Sequence, residues 1–104
     1  MNSSQVIDSI KQVGRVTLPQ NATLLLYGSR ARGDAHDGSD WDFLILLDKA
    51  KATLNDYDYG YHFRELGWNL GEEISPQVYA KQEWEKYSFT PFYKNVEHDK
   101  IVLL

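Results

Sequence analysis

Residues Gly28–Asp48 read GSRARGDAHDGSDWDFLILLD, and they carry most of what the chain says about its fold. The second half holds Trp41–Leu47, a near-continuous apolar run of strand length, which predicts a strand covered on both faces. Just upstream, Thr23–Tyr27 (TLLLY) predicts a second short strand. Between them lies a polar, glycine-punctuated segment with a tight exit at Gly28-Ser29 and a short helix starting near Ser29. Strand alternation puts Asp40 and Asp42 on one face of the second strand, with Trp41 and Phe43 on the other.

These residue types suggest a chemistry. Two carboxylates held so close repel each other and call for a compensating positive charge, which a hard divalent cation with oxygen ligands supplies. Gly28 lets a phosphate approach the backbone, a helix starting at Ser29 aims amides at it, and the Ser29 hydroxyl can donate to the same group. Arg30 and Arg32 could add charge-assisted contacts. Taken singly, each feature has a plain reading. A lone Asp-x-Asp is most often a solvated turn, a lone Gly-Ser says less, and isolated arginines are surface residues. The ordered combination is more specific than its parts.

Working outward, Val6, Ile7, Ile10 and Val13 recur at helical spacing, so a first helix is expected over Gln5–Val13, capped by Ser3-Ser4 and stopped by Gly14. Asn55 or Asp56 could cap a further helix carrying Tyr59, Phe63, Leu66 and Leu70, ended by Gly71. Ile74–Tyr79 reads as a strand whose Pro76 places it at an edge or bulge. Short helices are expected over Gln82–Tyr87 and Pro91–Val96, and a last strand over Ile101–Leu104. The sum is an α/β domain with a small mixed sheet flanked by helices, a single domain over residues 1–104.

Composition narrows the classes. An apolar share of 42% with three Trp, seven Tyr and four Phe provides core material that disordered chains lack. The absence of cysteine excludes disulfides, thiolate metal sites and Cys nucleophiles, and fits a cytoplasmic setting. Neither a leader pattern nor a membrane-length apolar run is present, so secretion and membrane spanning are not expected. A net charge of −4 weighs against a nucleic-acid partner, which usually meets a basic face.

The stretch GSRARGDAHDGSDWDFLILLD resembles the signature of the DNA polymerase β-type nucleotidyltransferases: Gly-Ser, a spacer, Ser-Asp-x-Asp, then hydrophobics. It is most similar to their minimal members, which are about this length. The resemblance implies a nucleotidyltransferase-like fold and a metal-dependent enzyme. Asp40 and Asp42 would hold one or two Mg²⁺ ions against an NTP, with ATP the expected substrate, and act as catalytic residues. Gly28, Ser29, Arg30, Arg32 and Ser39 would bind the nucleotide. A hydroxyl acceptor would then receive the nucleoside monophosphate.

The family pattern carries a third carboxylate on the strand after the central helix, where this chain has Ser75; Glu73, two residues earlier, is the alternative metal ligand. If neither serves, the resemblance implies a catalytically weakened nucleotide-binding, antitoxin or regulatory subunit. Minimal members work with a small helical partner protein, and a homodimer is also compatible with the edge strands. His36 is expected to be a solvent-exposed loop residue, and Lys49 a further candidate for neutralising phosphate.

Overall fold

Trp41–Leu47 forms the second strand, β2, of a four-stranded sheet in the computed structural model, which describes residues 2–104. Strand β1 (Thr23–Tyr27) pairs antiparallel with β2, and β3 (Ile74–Ala80) pairs parallel on its other side. Strand β4 (Ile101–Val102) lies antiparallel beyond β1, giving the order β3-β2-β1-β4, a mixed sheet as expected. Its pairing continues past its own end, with the amides of Leu103 and Leu104 donating to the Leu24 carbonyl.

The central place of β2 explains its near-continuous apolar run. One face packs Leu24, Leu26, Trp41, Phe43 and Ile45 against helices α1 (Ser3–Thr17) and α3 (Asp58–Leu70). The other packs Leu25, Leu44 and Leu46 against α4 (Lys81–Lys86) and α5 (Pro91–Asp99), through Trp84 and Val96. Between β1 and β2 runs a single helical turn, α2 (Ser29–Arg32).

Edge strand β3 accommodates Pro76. The Trp41 amide donates to the Glu73 carbonyl at 2.8 Å, so the odd-numbered residues of β3 bond to β2. The Pro76 nitrogen therefore points to the open edge, where no donor is needed.

Helix α1 departs from expectation at both ends. Its N-cap is Asn2, joined to Gln5 in a reciprocal capping box with both bonds at 2.9 Å, while Ser3 and Ser4 are already helical. Gly14 lies inside the helix and is buried. A Cβ there would come within 2.6 Å of the Leu104 side chain and 3.2 Å of Leu24, so close packing, rather than a helix stop, accounts for this glycine.

The central helix also starts differently. A 3-10 turn (Leu54–Tyr57) precedes α3, and Thr53 caps it, its amide donating to Asp56 Oδ2 at 2.7 Å. Gly71 ends α3 in the left-handed conformation, φ +72°, as expected. Among the described residues, no helix is long and apolar enough to cross a membrane.

Candidate active site

Strand β1 ends at Tyr27, whose register partner on β2 is Asp42. The chain then turns at Gly28, with φ +78° and ψ −161°, a region open in practice only to glycine. A Cβ on Gly28 would run into Asp42 Oδ2, so the bare backbone of the turn lies directly against that carboxylate. The Gly28 carbonyl accepts the amides of Ala31 and Arg32, both at 3.0 Å. The amides of Ser29 and Arg30, in the first turn of α2, have no acceptor within the helix.

Alternation holds along β2. Trp41 and Phe43 are buried toward α1 and α3, while Asp42 shares the opposite face with Leu44 and Leu46. Asp40 is exposed one residue before the strand begins. Its charge reaches Asp42, whose carboxyl is pushed above the usual range by burial first and by Asp40 second, with Arg32 pulling the other way. The pair thus has the mutual repulsion expected of two neighbouring carboxylates.

Across the sheet, Asp42 stands between Tyr27 on β1 and Ser75 on β3. Burial, then the Asp42 charge, pushes the Tyr27 phenol up to about 12, so it stays neutral at physiological pH. Its ring meets Phe92 of α5 edge to face, with centroids 5.7 Å apart. These two rings form a wall of the site that strand spacing alone did not reveal; the register is what brings Tyr27 beside Asp42.

The remaining predicted residues fall into two groups. Arg32 donates to Asp99 on α5 at 2.8 Å and to Asp34 at 3.2 Å, while remaining within electrostatic reach of Asp42. Arg30 instead donates twice to the Ser39 carbonyl and covers the Trp41 ring. Ser39 Oγ accepts the His36 amide at 3.0 Å, closing the tip of the loop, where His36 is exposed as expected. Arg30, Ser39, Trp41, Glu72 and Glu73 line a cavity of about 520 Å³ that Asp40 and Asp42 do not line.

Two sequence expectations meet different geometry. Among the described residues, no three His, Cys, Asp or Glu side chains gather where they could hold a metal ion, so Glu73 does not complete a three-carboxylate set with Asp40 and Asp42. Lys49 pairs with Asp56 at 2.8 Å beyond the far end of β2. Seven residues of extended chain, roughly 23 Å, separate it from Asp42, too far to neutralise a phosphate there.

Does this donor set fit Mg²⁺? Two neighbouring carboxylate side chains, one already resisting ionisation, provide hard oxygen ligands in need of positive charge. In chemistry the two carboxylates suit a hard divalent cation, with the remainder of its oxygen ligands to come from outside this pair.

Residues 5–104 match the model of the nucleotidyltransferase domain. The chain belongs to the nucleotidyltransferase domain family. A segment of 37 residues, 36% of the chain, is 46% identical to the protein adenylyltransferase MntA of Aphanizomenon flos-aquae (strain 2012/KM1/D3). That match spans 25% of the relative's length. The fold is similar to a crystal structure of a toxin–antitoxin with AMP-PNP, with a TM-score of 0.66 and 17% identity over 94% of this chain and 72% of that one. A mutant MntA–HpeT toxin–antitoxin structure matches equally well, at 0.66 and 15% over the same shares. At such identities these structures establish the nucleotidyltransferase-like fold.

Proposed function

We propose that this protein transfers a nucleoside monophosphate from an NTP, ATP foremost, to a hydroxyl acceptor. The observation that carries this reading is the seating of side-chain-free Gly28 on the Asp42 carboxylate, which brings the backbone of the Gly28-Ser29 turn directly against one member of the acidic pair. Asp40 and Asp42 would hold one or two Mg²⁺ ions, whose chemistry is to neutralise the triphosphate and its leaving pyrophosphate. Gly28-Ser29 would grip the phosphates through the first α2 amides and the Ser29 hydroxyl. Arg32, already within reach of Asp42's charge, would exchange part of its pairing with Asp99 for phosphate oxygens. Tyr27 and Phe92 would keep water from one side of the reacting groups.

The acceptor is proposed to sit on a second protein, in keeping with the relative named as a protein adenylyltransferase and the neighbours solved as toxin–antitoxin pairs. A small helical partner would meet exposed aromatics of the chain, such as the Tyr61–Trp68 pair of α3. Sedimentation of the chain alone and with candidate partners separates that arrangement from a homodimer.

A second reading follows from Ser75. It stands beside Asp42 in the register and offers no carboxylate to take a proton from the acceptor. The chain would then bind nucleotide and regulate a partner with little turnover. Calorimetric titration with a non-hydrolysable ATP analogue, with and without Mg²⁺, tests the site, beside the Asp42→Asn variant. Metal-dependent binding lost in the variant is the expected result, and equal binding by the two proteins excludes the proposed site. Pyrophosphate release with ATP and the partner then separates the active enzyme from the weakened one.

A further inference from the structure

Arg30 follows directly on the Gly28-Ser29 exit, yet its guanidinium lies on the Trp41 side of the sheet. Its Nε and Nη2 both donate to the Ser39 carbonyl, at 3.3 and 3.0 Å. Its Cζ lies 4.5 Å from the centroid of the Trp41 ring. Trp41 is held at two further points: its amide donates to the Glu73 carbonyl at 2.8 Å, and its indole Nε1 to Glu72 Oε2 at 3.2 Å. Ser39 and Trp41 are the two sequence neighbours of Asp40. A continuous set of contacts therefore runs from α2 through Arg30 to both sides of Asp40, and on through Trp41 to the turn between α3 and β3.

We propose that Arg30 is a positioning residue, one that fixes the spacing between the Gly28-Ser29 phosphate grip and the Asp40–Asp42 pair without touching the nucleotide. The proposal rests on the nucleotidyl-transfer reading above. Its physical basis is that Asp40 is exposed and lies just before the ladder of β2 begins, where repulsion from Asp42 would push it outward. A tether at Ser39 and a weight on Trp41 oppose that movement from either side. Two N–H groups converging on one carbonyl, combined with stacking on an indole, is a geometry that the planar guanidinium supplies and an ammonium does not.

The test uses the full chain with Arg30→Gln, Arg30→Lys and Trp41→Phe, the last keeping an aromatic ring under Arg30 while removing the bond to Glu72. Amide hydrogen exchange over residues 33–40, without nucleotide or metal, reads the tether. Both Arg30 variants are expected to exchange there about tenfold faster, with the remaining amides little changed. Titration with Mg²⁺ at fixed ATP analogue reads the consequence. Arg30→Gln should raise the Mg²⁺ concentration for half-maximal binding by roughly 10–100-fold, the usual effect of removing a group that orients metal ligands.

Arg30→Lys should restore little of this, and Trp41→Phe should fall between Arg30→Gln and wild type. Full restoration by lysine would overturn the proposal in favour of a plain charge contact with the phosphates. Unchanged exchange over 33–40 would overturn it too, because the loop would then be held by other contacts. If the wild type binds no nucleotide with Mg²⁺, the transfer reading fails, and the tether stands or falls on the exchange result alone.

Discussion

At the scale of single residues, Asp42 places function and stability in opposition. Its folded-state pKa is raised, so the native state binds that proton more tightly than the unfolded chain does. At neutral pH the charged carboxylate therefore costs stability, and the cost fades as pH falls through the raised value. Asp42→Asn removes it: the variant should be more stable than wild type at pH 7, by less than about 1 kcal/mol because solvent screens this half-buried group, while losing Mg²⁺-dependent nucleotide binding. Denaturant midpoints measured beside the calorimetry check both halves, and a destabilised variant would contradict the electrostatic account. The same shift sets a pH dependence for binding. Mg²⁺-supported affinity should begin to fall, on acidification, at a pH above the ordinary aspartate value of about 3.9. Analogue titrations from pH 7.5 down to 4.5 would reveal it, and an affinity flat across that range would argue against Asp42 as ligand.

At the scale of elements, the decisive piece is the β1–α2 corner. Gly28 combines a glycine-only backbone conformation with contact against Asp42, so Gly28→Ala meets two penalties at once. Backbone strain of this kind costs on the order of 1–3 kcal/mol. The added methyl also displaces the Asp42 carboxylate, so nucleotide binding should fall by more than the stability loss explains. Comparing the affinity of the natively folded fraction with that of wild type checks this; equal affinity would show that the corner serves the fold alone. Much of this corner was legible beforehand, because Gly-Ser between two apolar strands and Asp-x-Asp at a strand start are local patterns. The limits of α1 were not. Asn2 outcompeted Ser3 as cap because Gln5 could return a bond to it, and Gly14 answers to Leu104, ninety positions away in the chain.

For the whole molecule, two apolar layers sandwich β2, and the smaller one depends on Trp84. This side chain is 2% exposed and contacts the rings of Tyr79, Phe92 and Tyr93. Trp84→Ala should cost about 3–5 kcal/mol, a large part of the 5–15 kcal/mol that stabilises an ordinary domain. Phe92 packs on Trp84 as well as on Tyr27, so the loss would extend to the wall of the candidate site. Trp68, 67% exposed on α3, gives the contrast: its alanine variant should lie within about 0.5 kcal/mol of wild type. Chemical denaturation of the pair decides the matter, and similar losses in both would mean that the α4–α5 layer contributes little.

The strands flanking the signature, the class of fold and the acidic pair are each written in neighbouring residues, through alternation, apolar runs and glycine placement. Which residues stand beside that pair depends instead on the folded chain. Register brought Tyr27 and Ser75 to either side of Asp42, although fifteen and thirty-three positions separate them from it along the chain. Packing turned Arg30 onto Trp41 and Ser39, and left Arg32 between Asp99 and the Asp42 face. Side chains of the same type, two residues apart, went to different partners because the folded surroundings of α2 offered a carbonyl and an indole on one side and carboxylates on the other.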